Sequence, residues 1–542
     1  TITSFTPTSG PVGTTVTITG TGFNSTAANN IVYFGAAKAT VNSATSTSLS
    51  VIVPPGSTYE PISITNGGLS SFSSLAFKIT NTSISSATWG NTDFSSATTI
   101  TSASSGASGL GSYVANRIAA LCDFDLDGKT DIVKVGGGAT PVFSVHRNIS
   151  TSGTFTFGTV QNFTIPGSSN PYAVATGDIN GDGLKDLITV NDSGIHYCLN
   201  NSTVGSISFS TAVSVTSAVG GNIYLADVDR DGLLDITINS SYASSFSIYR
   251  NTTTGGTVSF NTTAVNFSGI NGTRGSGFGD VNMDGKVDFI FASENNGTVV
   301  RYNTSTGPTN VNFGANVVVG GYCWNANVAD INSDGVNDVY STHSRVFINN
   351  SGSFSSVNLQ ANAGEWRSSF ASDLNGDGKL DIVYCQENQT FLVGIYKNNY
   401  TPSATAIAAS DFTSGYANMT NYIQGHVMIS DMDGDNKLDI VIGELGGASI
   451  YIFKNNIGPS APAFTTQPSI TPSTICAGTS FTTNIIVASN TPTSYQWEVS
   501  TDNGLTWGNV TGASATTTQL TATPTTGGTY LYRCKATNGA GT

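Results

Sequence analysis

The chain has 542 residues, only 10% of them charged, and a formal net charge of −14. That length exceeds one ordinary core, so two to four domains are expected. The acidic balance offers no basic footprint of the kind nucleic acid requires, and no apolar run approaches the ~20 residues needed to span a bilayer. Short runs rich in Val, Ile, Thr, Phe and Tyr, punctuated by Gly and Pro, make the chain all-β. There is no cationic leader with an apolar core. Thr1-Ile2-Thr3-Ser4-Phe5 already reads as a strand, as expected of a mature N-terminus behind a cleaved secretion signal.

Residues 1–80 alternate apolar and polar positions between glycine turns, a pattern that faces one side of each strand to a core. Ile2-Thr-Ser-Phe-Thr-Pro7, Gly10-Pro-Val-Gly13, Val16-Thr-Ile-Thr-Gly20, Gly22-Phe23, Val32-Tyr-Phe34-Gly35 and Val51-Ile-Val53-Pro54 carry it. The segment resembles the TIG (IPT) immunoglobulin-like sandwich.

From residue 123 onward the pattern Asp-x-(Asp/Asn)-x-Asp-Gly-x-x-Asp occurs seven times, with one departure. The copies begin at Asp123, Asp178, Asp227, Asp280, Asp330, Asp373 and Asp431, spaced by 55, 49, 53, 50, 43 and 58 residues. A strand of small residues precedes each loop and an apolar strand follows it, as in Tyr172-Ala-Val-Ala-Thr-Gly177 and Asp186-Leu-Ile-Thr-Val190. A third strand ends in an Asn-rich turn (Tyr249-Arg250-Asn251), and a fourth is expected at Thr154–Val160 and Ile207–Ala212. Four strands per repeat, seven times over, predict a seven-bladed β-propeller across residues 81–458. The seventh repeat stops at Asn456, so the strand at residues 88–100, before the first repeat, is expected to complete blade seven and close the ring.

Alternating carboxylates on a tight loop converge on one point, and calcium is a hard cation wanting six to eight oxygens. Glycine at the sixth position lets the backbone turn sharply. The loop opens like an EF-hand but closes at its ninth position and leads into a strand, as in the FG-GAP and VCBS propeller repeats that this region resembles. The resemblance implies side-chain ligands at positions one, three, five and nine. These are Asp123, Asp125, Asp127 and Asp131 in the first copy; Asp178, Asn180, Asp182 and Asp186 in the second; Asp227, Asp229, Asp231 and Asp235 in the third. They are Asp280, Asn282, Asp284 and Asp288 in the fourth; Asp330, Asn332, Asp334 and Asp338 in the fifth; Asp373, Asn375, Asp377 and Asp381 in the sixth; Asp431, Asp433, Asp435 and Asp439 in the seventh. The resemblance adds the position-seven carbonyls of Lys129, Leu184, Leu233, Lys286, Val336, Lys379 and Lys437. The departure is Asn436 at the sixth position, a residue that tolerates positive φ but is expected to weaken that site. These positions hold 24 of the 34 acidic residues, and seven Ca2+ ions would cancel the formal charge.

Six residues before the first Asp of each loop lie Arg117, Tyr172, Gly221, Arg274, Trp324, Arg367 and Gly425, with Trp366, Tyr322 and Tyr224 close by. Arg117, Tyr172, Arg274, Trp324, Trp366 and Arg367 form a candidate ligand-binding rim, suited to an anionic or sugar ligand; the alternative is that they line a solvated channel. Cys122 stands where other copies have Gly, Ala or Ser, and reads as a buried free thiol; a Cys323–Cys385 bridge is the other arrangement open to the repeat cysteines. His146 and His196 read as β-surface residues, and no His-Glu-x-x-His, nucleophile elbow or phosphate loop is present.

Residues 459–542 resemble an immunoglobulin-like domain through Cys476, Trp497, Tyr532 and Cys534. That resemblance implies a Cys476–Cys534 disulfide and a tyrosine corner at Tyr532, and the missing final strand implies further domains beyond Thr542. Together these features predict a non-enzymatic, calcium-stabilised secreted or cell-surface protein of bacterial type. Its expected partner is a cell-surface or matrix protein or a polysaccharide, by adhesion or lectin-like binding; the alternative is the accessory front of a larger secreted enzyme.

Overall fold

The computed structural model describes residues 1–80, 93–102, 105–106, 117–137, 140–167, 171–217, 221–239, 245–359, 366–386, 393–402, 406–416, 425–457, 462, 464–471, 473–488 and 492–537. Among them, seven antiparallel sheets follow one another, each built as inner strand, loop, second, third and outer strand. In blade two these are Ala173–Gly177, Asp186–Asn191, Gly194–Cys198 and Val213–Thr216. Thr98–Thr101 pairs antiparallel with Ser449–Phe453 of the last repeat, Thr98 opposite Ile452. The strand preceding the first repeat is therefore the outer strand of blade seven. Residues 88–92 of the expected closing strand lie outside the described residues.

The outer strands begin later than their composition suggests, at Gln161 in blade one and Val213 in blade two. The segments expected to form them make hairpin turns instead, with bridges Thr151–Thr154 and Thr203–Ser206. The phenylalanines in these turns bridge to the Asn after the third strand: Phe157 to Asn148, Phe209 to Asn200, Phe260 to Asn251 and Phe313 to Asn303. Phe94 makes the same bridge to Asn455 in blade seven. Aromatic residues at these positions are claimed by packing between blades, not by the sheet edge. Phe209 joins Phe124, Phe143, Val174, Leu187 and Cys198 in one buried cluster across blades one and two. Cys122 sits there too, and Cys122, Cys323 and Cys385 are all buried and outside any disulfide.

Residues 1–80 form strands in the order Ile2–Thr6, Thr15–Gly20, Ser48–Ile52, Ala37–Ala44, Ile31–Phe34, Pro61–Asn66 and Leu69–Ala76. Val16, Ile18, Val32, Phe34, Leu49, Val51, Ile62 and Ile64 fill its core. This domain and the propeller form one compact unit, and the domain lies across the loop ends of the blades. Tyr33 Oη donates to Gly183 O (2.8 Å), Lys185 Nζ to Gly35 O (2.7 Å), Gly378 O accepts from Lys78 Nζ (2.6 Å) and Gly232 O from the Ser70 amide (2.6 Å). Thr130 and Ser430 hydroxyls donate to Gly56 O, and the Asn337 amide to Ser74 O. The first domain is thus seated on the loops of the propeller.

A second unit, centred on residues 457–542, is described by itself. Ser494–Ser500 lies between Gly508–Asn509 and Leu531–Thr537, and two short strand pairs accompany this sheet. Trp497 is fully buried with Ile486, Leu520 and Phe481, and its indole donates to Thr517 O (2.9 Å). The expected Cys476–Cys534 disulfide is not formed: both thiols are free. Cys476 is exposed in a turn ahead of Phe481–Thr482, while Cys534 faces Trp497 across the sheet register. The tyrosine-to-backbone bond expected of Tyr532 is made by Tyr530, whose hydroxyl donates to Thr526 O (3.0 Å); Tyr532 packs on Phe481 instead.

Candidate metal centres

Each acidic loop joins an inner strand to the second strand of its blade, and its residues are held by one repeated set of bonds. The position-six amide donates to the position-one carboxylate in all seven copies, at 2.8–3.0 Å. That closure requires left-handed backbone at position six, supplied by glycine in six copies and by Asn436, at φ 65°, in the seventh. Position four is left-handed as well, in Leu126, Arg230, Met283 and Ser333 as much as in glycine. Composition gave no sign of this second turn.

The ninth-position aspartate does more than close a loop. One oxygen accepts the amide at position two, at 2.9–3.1 Å, in every copy. The other accepts the backbone amide of the asparagine that ends the third strand, at 2.8–2.9 Å. These asparagines are Asn148, Asn200, Asn251, Asn303, Asn349, Asn398 and Asn455. Each side-chain amide then donates to the position-two carbonyl of the preceding blade, at 2.8–3.0 Å. Asn148 reaches Met432 O of blade seven, so the ring closes through the same bond that joins every other pair. Sequence reasoning saw the Asn-rich turn but not its role; its signal was an Asn at a constant place after the third strand.

The site carboxylates converge. Asp123, Asp125 and Asp127 each present an oxygen within 4.8 Å of the others, as do Asp227, Asp229 and Asp235, and Asp431, Asp433 and Asp439. Burial, followed by neighbouring carboxylates, pushes Asp123 and Asp227 up to about 7 and Asp235 up to about 8. Burial holds Asp131, Asp186 and Asp439 well above the usual carboxylate range. Buried, mutually repelling carboxylates are costly without a compensating charge, and an all-oxygen set suits a hard divalent cation. The residues present fit such an ion.

The far ends of the inner strands differ from the exposed aromatic rim that the sequence suggested. Trp324 is 3% exposed, with the Arg274 guanidinium 4.6 Å from its ring centroid. Arg274 also pairs with Glu294, and the Tyr172 hydroxyl bonds the Asp192 carboxylate. Arg117 lies 5.3 Å from the ring centroid of buried Tyr224. The side chains of Trp366 and Arg367 lie outside the described residues. His146 and His196 are buried rather than on the surface, His196 between Ser214 and Asn191. Along the axis, a cavity of about 300 Å³ is lined by every blade, through residues such as Arg117, Val174, Tyr224, Ser276, Asn327, Ser369 and His426, and by Tyr33 and Tyr59 of the first domain.

Fold and loops define a seven-bladed propeller with a carboxylate-rich turn in every blade. In family terms, the chain carries an IPT/TIG domain at residues 1–80 and FG-GAP-like repeats, matched at residues 123–189, 178–238 and 280–341. Residues 468–542 match a domain of unknown function (DUF8696). No curated protein matches the chain. Among solved structures it is similar to an Agrocybe aegerita lectin that recognises non-reducing terminal N-acetylglucosamine, at 20% identity over 64% of this chain and 88% of that one (TM-score 0.41). It is also similar to an auxiliary nutrient binding protein from Bacteroides ovatus, at 14% identity over 84% and 97% (TM-score 0.32). The WD40 domain of Toxoplasma gondii coronin matches at 8% identity over 69% and 90% (TM-score 0.40). Overlaps this loose carry no inference about what the chain binds. No helix among the described residues is long and apolar enough to cross a membrane.

Proposed function

We propose that this chain is a calcium-stabilised, extracellular, non-catalytic propeller that serves adhesion or ligand binding. The observation that carries the reading is the seven-fold recurrence of one oxygen-rich loop, with carboxylates converging in three copies. Positions one, three, five and nine would hold the ion with the carbonyl of position seven. Bound calcium would supply the counter-charge that buried carboxylates need, at affinities of roughly 0.1–1 mM suited to an extracellular module. The first domain occupies the loop ends, through Tyr33, Ser70 and Lys78 among others. The opposite ends, where residues differ from blade to blade, are therefore the face assigned to a partner.

The test has two stages. Calcium added to chelator-stripped protein is expected to raise its melting temperature; no response at millimolar calcium would remove the calcium reading. Calcium-loaded protein is then presented to a glycan array and to surfaces coated with matrix proteins. Matrix attachment supports adhesion and glycan capture supports the lectin-like alternative; binding to neither would overturn the assignment of a binding face.

A further inference from the structure

The third position of the loop divides the seven copies into two kinds. Copies one, three and seven have a fourth carboxylate there, Asp125, Asp229 and Asp433, whereas the other four have Asn180, Asn282, Asn332 and Asn375. The residue just before the blade-joining asparagine divides them almost identically. It is Arg147, Arg250 and Lys454 in copies one, three and seven, and Leu199, Tyr302 and Ile348 in copies two, four and five. Copy six alone combines a third-position Asn375 with a cation, Lys397.

The structure gives the pairing a geometry. Arg147 places Nε 2.5 Å from Asp125 Oδ2 and Nη2 2.5 Å from Asp127 Oδ2, bridging the third- and fifth-position carboxylates. Arg250 bridges Asp229 and Asp231 in the same way, with Nη2 2.9 Å from Asp231 Oδ2. Lys454 Nζ bridges Asp433 and Asp435, 3.1 Å from the latter. Asp125, Asp229 and Asp433 are completely buried beneath these cations. In the asparagine loops the third-position amide itself takes over the fifth-position bond. Asn180 Nδ2 donates to Asp182 Oδ2 and Asn332 Nδ2 to Asp334 Oδ2, each at 2.9 Å, and Asn375 Nδ2 donates to Asp377 Oδ2 at 3.1 Å. In copy four, Lys286 Nζ lies 3.4 Å from Asp284 Oδ2.

In each case the same oxygen, Oδ2 of the fifth aspartate, is held by a donor. Its partner Oδ1 accepts the position-seven amide, as in Asp127, Asp182, Asp231, Asp284, Asp334 and Asp435. A carboxylate gripped at both oxygens keeps one orientation, and pre-orientation lowers the ordering cost when an ion arrives. A buried fourth carboxylate would also repel its neighbours unless a fixed cation stood beside it.

We propose that Arg147, Arg250 and Lys454 are positioning residues for the first, third and seventh metal loops, doing there what the third-position asparagine amide does in copies two, five and six. This rests on the reading of the loops as calcium sites. The extra carboxylate and its cation are then one exchangeable unit, equivalent to a single asparagine, and the carboxylate is not tolerated without its cation.

Calorimetric calcium titration of the full chain tests this with two variants. The triple variant Arg147→Met, Arg250→Met, Lys454→Met is expected to weaken three sites by ~tenfold, the loss of a charge-assisted contact, and to leave the remaining sites unchanged. Adding Asp125→Asn, Asp229→Asn and Asp433→Asn to that variant is expected to bring the three sites back to within about threefold of wild type. Unchanged affinities in the triple variant, or no recovery in the six-fold variant, overturn the proposal. If wild type itself takes up no calcium, the underlying metal reading fails instead. Should the triple variant not fold, Arg147→Met against Arg147→Met with Asp125→Asn poses the same question at one loop. Terbium luminescence at that loop then reads the loss and its recovery, and loss without recovery counts against the proposal.

Discussion

At the loop end of the inner strands the same hydrogen bonds recur in blade after blade, whereas at the other end the contacts of the described residues differ from one blade to the next. Asp131 and Asn148 have counterparts in every repeat, down to which oxygen accepts which amide. Six residues before each loop, by contrast, Tyr172 bonds Asp192, Arg274 stacks on Trp324 and Arg117 lies over Tyr224. Repetition marks what the ring needs in order to exist. Difference marks where a partner could be told from a stranger, because a ligand that meets seven identical surfaces finds no specific place among them.

Four experiments press on that contrast. The largest effect is expected from pH in chelator-stripped protein. Burial raises the folded-state pKa of Asp123 and Asp227 to about 7 and of Asp235 to about 8, above the unfolded value of about 3.9. A raised pKa stabilises the fold below the unfolded value, and that stability is lost as pH climbs through the folded value. The melting temperature without metal is thus expected to fall steadily from pH 4 to pH 8, each group contributing up to about 1.4 kcal/mol per pH unit. Calcium-loaded protein should escape this fall, and a flat metal-free profile would show that the loops carry no such strain.

Next comes the far end. Trp324→Ala is expected to cost about 3–5 kcal/mol, because the ring is buried under Arg274; denaturant unfolding measures it. A loss below 1 kcal/mol would return Trp324 to the exposed rim that its sequence position suggested. Asn251→Ala removes the donor that joins Ile179 O of blade two to Leu234 O of blade three, and about 2–4 kcal/mol is expected. An equal loss from the same change at Asn303 would confirm that the joints are interchangeable, and unequal losses would break the repeat equivalence.

Much of this architecture could be read from residue types. Seven Asp-rich turns set the number of blades, and the truncated seventh repeat pointed to its missing strand. What escaped had physical causes. Phe157 and Phe209 have strand-forming chemistry but serve as wedges between blades, which displaced the expected outer strands. An aromatic beside an arginine reads alike whether it faces water or stacks inside, so Trp324 was placed wrongly. The seating of the first domain uses carbonyls of Gly183, Gly232 and Gly378, and backbone acceptors leave no mark in a sequence. The Cys-Trp-Cys order of the last segment suggested a bridge that is not formed, Cys476 being exposed and both thiols free. The smallest effect follows from this: Cys476→Ser with Cys534→Ser should move stability by no more than about 0.5 kcal/mol. A melting temperature sensitive to reductant in wild type would contradict the free thiols.

The central claim is that the repeated end of the blades is a set of metal-held staples. Titration of calcium into chelator-stripped chain, with melting followed in parallel, addresses it directly. Uptake of about seven ions per chain is expected, with stabilisation of about 1.4 kcal/mol per site at tenfold excess over its Kd. No uptake and an unchanged melting temperature at calcium well above roughly 1 mM would contradict the account.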